Sequence, residues 1–443
     1  MFRDTLLILW LLIAVLFFLL FFGVQGGFSI LKAGQFKKLF LEGVLPALVL
    51  SGLFMGISVF AVYPLWNYLS DLQRLCRMIY TYPLYLVRNY IESGGAVDTG
   101  QVQVVREIEY FPHFYYRVHR GNVEITVELD GSKFHQDGSF EDLTKVLEDR
   151  YTLNVIDITQ RREYLTYHLF RDAEQNRLNL EDIAPNGYTI PLMKGVAWEI
   201  NKIPHALIVG VTGGGKTVML NILIQAFLLM GATLYICDPK NSALADYGRI
   251  IPNVRSEIDG IQDNIAECVE TMGERYKEMK GKPGYISGQD FTHYNMKPVV
   301  LIMDEYAAYA STLDRKELGE FKTNLSQIVF KGREAGVFTV LATQRPDAVY
   351  LDGSVRDQLG LRITLGKMSD EGYRMVFGNT QQKLKKSYGG AGKGYMDMDG
   401  KAFIQKFCAA LVPKGYRFID EAEKICRHAN EGREEENIEY CNN

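Results

Sequence analysis

Ala206-Leu-Ile-Val-Gly210 is a short, wholly apolar run that breaks into a cluster of glycines. A second apolar run, Val218–Met230, begins directly beyond that cluster and stops at Gly231. The first run predicts a buried parallel strand and the second a buried helix. The loop between them, Gly210-Val-Thr-Gly-Gly-Gly-Lys-Thr217, fits the spacing G-x-x-x-x-G-K-[ST]. A buried strand that must feed a buried helix through so short a glycine loop predicts an α/β fold with a parallel sheet and a ligand at the strand C-termini.

The residue types in that loop explain its chemistry. Glycines let consecutive backbone N–H groups point inward without Cβ clashes, beside the partial positive charge of a helix N-terminus. Gly210, Val211, Thr212, Gly213, Gly214, Gly215, Lys216 and Thr217 therefore read as a cradle for the phosphates of ATP. Lys216 is expected on the β- and γ-phosphates, and the Thr217 hydroxyl on Mg²⁺. An acidic metal holder should stand on a neighbouring strand, and Lys297-Pro-Val-Val-Leu-Ile-Met-Asp304-Glu305 supplies it. Asp304 is assigned to the Mg²⁺ shell and Glu305 to the attacking water, and a second acid there favours hydrolysis over transfer to a metabolite.

Further strands are expected at Thr233–Cys237, before Asp238-Pro239-Lys240, and at Val337–Thr343, before Gln344. Leu361–Leu365 and a hairpin turning on Asp399-Gly400 follow. Gln344, at the end of a strand beside the acidic one, is placed to sense the γ-phosphate or to cap backbone.

The opposite end of the chain is different. Leu6 to Val24 and Gly43 to Tyr68 are uncharged. Each exceeds the roughly 18 residues needed to cross about 30 Å of hydrocarbon. Two membrane-spanning helices are expected, with Pro46 and Pro64 near the ends of the second. Positive charges tie, with Lys32, Lys37 and Lys38 between the spans against Arg3, Arg74 and Arg77 flanking them. The ATP site breaks the tie, because ATP is cytosolic. The expectation is a cell-membrane protein with both termini and the motor on the cytoplasmic side.

Residues 69–100 continue as an amphipathic stretch carrying Arg74, Arg77 and Arg88, expected to leave the bilayer along its surface. From Gln101 the period becomes two, with Val102, Val104, Ile108 and Tyr110 on one face and Arg106 the single break. Asn122–Leu129 reads as a strand ending at the turn pair Asp130-Gly131. A helix is expected from Ser139 and Asp142 through Leu143, Val146 and Leu147. The aromatic stretch Tyr110–Arg120 with Arg117 and Arg120 reads as strand packing ahead of a base-stacking role. The six cysteines are scattered, with no C-x-x-C pair, which argues against a zinc site and a disulfide scaffold. A net charge of −4 excludes a polycation without excluding nucleic-acid binding, which depends on where basic groups cluster.

Taken in order, Pro204-His205 before the loop, Asp238-Pro239-Lys240, Glu274-Arg275-Tyr276-Lys277, Asp304-Glu305 and Arg333-Glu-Ala-Gly336 resemble the FtsK/SpoIIIE family of hexameric DNA pumps. Ala342-Thr-Gln-Arg-Pro346, Leu361-Arg-Ile363 and Gly392-Lys-Gly394 extend that resemblance, which covers roughly 180–410. The plan of two spans, a small module and one motor looks most like the TcpA-type coupling proteins of Gram-positive conjugative elements. The resemblance implies a RecA-like P-loop motor that forms a ring, by analogy hexameric, around DNA, with ATP between subunits. It implies an arginine acting in trans, for which Arg333 and Arg362 are both candidates, each also open to a structural ion pair. It implies pore-facing residues near Asp347–Arg356, and Lys383, Lys385 and Lys386 are a further candidate phosphate contact. Relaxase or relaxosome proteins and membrane channel components are the implied partners.

The organisation expected is a membrane anchor at 1–68, a juxtamembrane helix and small α/β module at 69–180, a motor at 181–411 and a polar, acidic, partly disordered tail at 412–443. That tail is too short for the winged-helix reader of chromosome-segregating relatives. The leading expectation is an ATP-driven DNA translocase acting as a conjugative coupling protein. Protein export of the type VII kind and a chromosomal DNA pump are the alternatives, and a non-catalytic scaffold is disfavoured by the intact Lys216, Asp304 and Glu305.

Overall fold

The computed structural model describes residues 15–24, 40, 44–92, 103–119, 122–136, 138–140, 143–151, 153–170, 173–346, 349–380, 382, 384, 389–401 and 403–441. The chain parts into two compact units, Met1–Pro112 with Asp149–Tyr151, and His113–Glu148 with Thr152–Asn443.

In the first unit residues 15–24 are helical. The 37-residue helix α1 spans Leu45–Thr81, with Pro46 in its first turn, where a missing N–H costs nothing. Among the described residues no helix is long and apolar enough to cross a membrane. The two expected spans thus gain no support there; residues 6–14 of the first, and Gly43 and the side chains of 54–67 in the second, lie outside what is described. The amphipathic stretch expected over 69–100 does not continue as one element. The helix stops at Thr81, and β1 (Leu86–Glu92) pairs antiparallel with β2 (Gln103–Tyr110).

The second unit opens with a four-stranded sheet of β3 (Phe114–His119), β4 (Asn122–Glu128), β5 (Asn154–Arg161) and β6 (Tyr164–Phe170), in the order β3-β4-β6-β5. Alternation on β4 explains its register: Val123, Ile125 and Val127 are buried and stand opposite Leu169, Tyr167 and Leu165. A one-residue slip would put this apolar set in water. Asp130-Gly131 does turn the chain, with Asp130 Oδ1 accepting from Ser132 N at 3.0 Å, but it leads into the short helix α2 (Lys133–Gln136) and not a returning strand. The next helix, α3 (Thr144–Tyr151), starts five residues beyond the Ser139 cap that its sequence suggested.

The rest of the second unit is built on an eight-stranded sheet. After the hairpin β7 (Thr189–Met193) and β8 (Val196–Glu199), β9 (Ala206–Gly210) enters the glycine loop and α4 (Lys216–Leu229) leaves it. Then come β10 (Thr233–Cys237), β11 (Val254–Arg255), α5 (Ile258–Gly281), β12 (Val299–Met303), α6 (Tyr306–Thr312) and α7 (Arg315–Ala335). The remainder is β13 (Val337–Thr343), α8 (Gly353–Arg356), β14 (Leu361–Leu365), α9 (Asp370–Phe377), β15 (Lys393–Met398), β16 (Gln405–Cys408) and α10 (Phe418–Cys441). Strand order is β11-β10-β12-β13-β9-β14-β15-β16, parallel through β14 and antiparallel beyond it.

Every residue of β9, β12 and β13 is buried, as a parallel sheet covered on both faces requires. The chain leaves β9 towards one edge and later lays β14 on its other side. That reversal opens a crevice at the C-terminal end of β9. Strand β13 intervenes between β9 and β12, so the acidic strand lies one strand farther from the glycine loop than immediate adjacency would put it. Two motifs prove to be joints of this frame. Arg275 on α5 donates to Lys297 O (2.7 Å) and Ala335 O (3.0 Å), fixing the starts of β12 and β13, while Tyr276 donates to Lys331 O.

The segment expected to be a partly disordered tail is helical. Its α10 packs on α4, with Ala422 buried and Tyr416, just before it, donating to Gln225 Oε1 at 3.0 Å.

Candidate active site

The loop after β9 is held by its own glycines and by a neighbouring hairpin. Gly215 caps α4 with φ of 97°, a left-handed conformation that only glycine adopts without strain. A Cβ on Gly214 would stand 2.6 Å from Leu365 O and 2.8 Å from Val211 O, both backbone. The amide of Gly392 donates to Gly214 O at 2.8 Å, and Val211 N donates to Leu365 O at 3.2 Å. Strand β14 and the turn before β15 thus back the loop from behind. The cradle is one that side chains would fill, and it opens at the N-terminus of a 14-residue helix, so it fits a polyphosphate.

Lys216 reaches across this crevice. Its Nζ lies 2.5 Å from Asp304 Oδ1 and 2.5 Å from Glu305 Oε1, and all three side chains are under a tenth exposed. Burial alone would push the Glu305 carboxyl upward. The ammonium groups of Lys216 and Lys240 and a hydrogen bond from Gln344 outweigh it and hold this carboxyl below its ordinary range. Glu305 also has φ of 48° and ψ of 42° at the start of α6, with its amide donating to Asp304 Oδ1 at 2.9 Å. A non-glycine residue in that conformation costs roughly 1–2 kcal/mol. The surrounding contacts therefore hold the carboxylate in a backbone conformation it would not choose.

The sheet thus brings Lys216, Asp304, Glu305 and Gln344 to one crevice, with Gln344 at the end of the intervening strand β13. Thr217, in the first turn of α4, stands beside it; its carbonyl accepts from Asn221 Nδ2 at 2.9 Å, and Asn221 Oδ1 in turn accepts from Tyr247 Oη. Among the described residues no cluster of three or more His, Cys, Asp or Glu forms a metal cage. A hydroxyl and one carboxylate beside a polyphosphate are the donor set that suits Mg²⁺, which keeps several waters and takes substrate oxygens.

The two arginine candidates are placed elsewhere. Arg333 is exposed in the last turn of α7, towards the N-terminal edge of the sheet, where its Nε donates to Asn201 O at 3.2 Å. Arg362, 12% exposed, lies 3.6 Å from Asp397 Oδ2 and donates to Leu359 O (3.0 Å) and Asp357 O (3.3 Å). Neither meets Lys216 within the chain, and Arg362 is engaged by a structural ion pair. Lys383, Lys385, Lys386 and the start of the expected pore segment, residues 347–348, lie outside the described residues. The rest of that segment includes α8, and Val349 O accepts from Lys322 Nζ at 2.9 Å.

Sequence reading gave Lys240 no role at the site. Its Nζ lies 3.4 Å from Glu305 Oε1. The signal was available in Asp238-Pro239-Lys240, directly after the strand that pairs with β12.

The FtsK/SpoIIIE family profile matches residues 190–284. The FtsK domain-containing protein YdcQ of Bacillus subtilis is 34% identical over 384 residues, spanning 86% of this chain and 78% of that protein. A DNA translocase FtsK of Staphylococcus epidermidis is 27% identical over 226 residues, or 45% of this chain and 28% of that one. Among solved structures, the pCW3 conjugation coupling protein TcpA with ATPγS has a TM-score of 0.51 at 20% identity, covering 72% of this chain and 94% of that one, a likeness of fold. With its phosphate loop, strand-end acids and a relative of that extent, the chain belongs to the FtsK/SpoIIIE family and is an ATPase.

Proposed function

We propose that this ATPase is a DNA translocase anchored at a membrane, working as a ring and acting as a coupling protein in conjugative transfer. The observation that carries the reading is the convergence of Lys216, Asp304, Glu305 and Gln344 at the mouth of one glycine loop. In it the amides of Gly213–Thr217 and the Lys216 ammonium bind the triphosphate. Thr217 and Asp304 would hold Mg²⁺, which when bound neutralises charge on the phosphate oxygens. Glu305 orients the attacking water and takes its proton, and Gln344 ties that carboxylate to the end of β13.

The part of the proposal that concerns DNA is supported by the FtsK DNA translocase among the relatives, and the conjugative part by the fold shared with TcpA. The membrane part rests on the uncharged runs Leu6–Val24 and Gly43–Tyr68 in the sequence. Relaxosome and channel proteins are the partners this role requires, and a hexamer is the ring it favours.

The test is ATP turnover by the full-length chain with single-stranded DNA, double-stranded DNA, a secreted peptide, or no addition. Strong stimulation by either form of DNA is expected. Stimulation by the peptide alone would move the reading to protein export.

A further inference from the structure

We infer that Lys240 is a positioning residue for Glu305, which keeps that carboxylate in place when the phosphates draw Lys216 away. The inference rests on the reading of Glu305 as the group that activates water, and it names what holds that group. In the structure Glu305 Oε1 has Lys216 at 2.5 Å and Lys240 at 3.4 Å. Lys216 serves the carboxylates and the phosphate cradle alike, and one ammonium cannot satisfy both fully. As it turns to phosphate, a carboxylate only 8% exposed loses its shortest ion pair, and a buried charge without a partner is costly. Lys240 is the cation that can remain.

The loop that carries Lys240 is built to hold it there. Asp238 is 1% exposed, and its carboxylate accepts from Lys240 N (3.2 Å), Ser242 N (2.8 Å), Ala245 N (3.2 Å) and Ser242 Oγ (2.9 Å). Pro239 removes one backbone freedom, and Asn241 takes the left-handed conformation at φ of 47°. The loop is also registered to the acidic strand: Cys237 stands beside Met303, and Asp304 N donates to Cys237 O at 2.9 Å. The Lys240 side chain is 48% exposed, yet its ammonium is turned inward to a buried carboxylate. A lysine held only for solubility has no need of so closely tied a backbone.

The experiment compares full-length Lys240→Ala, Lys240→Arg, Glu305→Gln and the double variant Lys240→Ala/Glu305→Gln in steady-state ATP hydrolysis with Mg²⁺. Expected for Lys240→Ala is a fall in kcat on the order of tenfold with KM within about twofold, the loss of one charge-assisted contact. Lys240→Arg should recover most of it, and the double variant should be no slower than Glu305→Gln alone. Unchanged kcat in Lys240→Ala, a rise in KM alone, or a further loss in the double variant would each overturn the inference. If Glu305→Gln itself turns over like the parent, the reading of Glu305 is what fails; if Glu305→Gln is slow while Lys240→Ala is not, only the role of Lys240 falls.

Discussion

The Lys216 ammonium lies 2.5 Å from Asp304 Oδ1, although 88 residues separate them in sequence, and the same nitrogen touches Glu305. This contact joins the helix behind the glycine loop to the end of a strand two positions away in the sheet. It also neutralises part of a carboxylate pair that burial would otherwise penalise. Lys216→Ala is therefore expected to do two things: abolish nucleotide binding, and destabilise the ATPase domain by about 3 kcal/mol, because the buried carboxylates lose their shortest ion pairs and only Glu305 keeps a second cation, Lys240. Nucleotide titration and denaturant unfolding read the two effects separately. Wild-type affinity for nucleotide in this variant would contradict the cradle.

Glu305→Gln keeps the side-chain shape and its hydrogen-bonding reach while removing the base. ATP binding should survive, because the phosphate cradle lies on β9 and α4. Turnover should fall by about 10²–10⁴-fold, the usual worth of a positioned general base. Single-turnover hydrolysis alongside equilibrium binding separates the two, and parent-like turnover would remove Glu305 from its assigned role.

Gly215→Ala tests the loop itself. The backbone there has φ of 97°, and an added Cβ would lie 2.8 Å from the amide of Gly392. Left-handed strain alone costs about 1–2 kcal/mol, and the clash falls on backbone that cannot rotate away. The expected result is a lower melting temperature together with weakened ATP binding. Gly213→Ala, where φ is 74° but nothing lies within 4 Å of the added atom, should be milder in stability.

His205 supplies a pH signature for the fold. The ring is fully buried, its Nδ1 accepts from Thr339 N at 3.1 Å, and burial lowers its pKa from 6.5 to about 4. A histidine depressed in the folded state leaves the unfolded chain binding the extra proton first. Its contribution to stability is therefore full above pH 6.5, declines as pH falls from there towards 4, and changes no further below that. The loss across the window is about 3 kcal/mol. Between pH 7 and pH 4 the unfolding free energy of the parent should fall by about that much more than that of His205→Asn. Parallel curves would show the ring is not held neutral.

Much of this site was legible because local rules dominate it. A five-residue apolar run into glycines has few other folds, and Val299–Met303 ends in two carboxylates that a buried strand carries only where something must be bound. What escaped depends on contacts made far along the chain. The turn at Asp130-Gly131 suits a hairpin, yet Phe134 buries its ring just beyond and the chain continues as helix. Composition favoured disorder for the tail, but Ala422 on α10 finds burial that no local pattern foretells. Asp238-Pro239-Lys240 stood out as a motif, but that its lysine meets Glu305 follows from the pairing of β10 with β12, which the sheet sets.

That register also separates the two arginines. Arg362 stands opposite Asp397 in the β14–β15 pairing, and burial pushes the Asp397 carboxyl up while Arg362 pulls it down. Arg362→Ala leaves that carboxylate without its cation, so a stability loss of about 3 kcal/mol is expected, with ATP binding otherwise intact. Arg333 is exposed at the far edge of the sheet from Lys216, and a cation so placed can reach a phosphate only in another copy of the chain. Arg333→Ala should leave stability within about 0.5 kcal/mol of the parent. If Arg333 acts across a subunit boundary, turnover should fall by about 10³-fold or more. Mixing Arg333→Ala with Lys216→Ala should then restore activity in part, because one partner supplies an intact cradle and the other an intact arginine. Absence of restored turnover in mixed assemblies, with both variants folded, would assign Arg333 to its bond with Asn201 and no more.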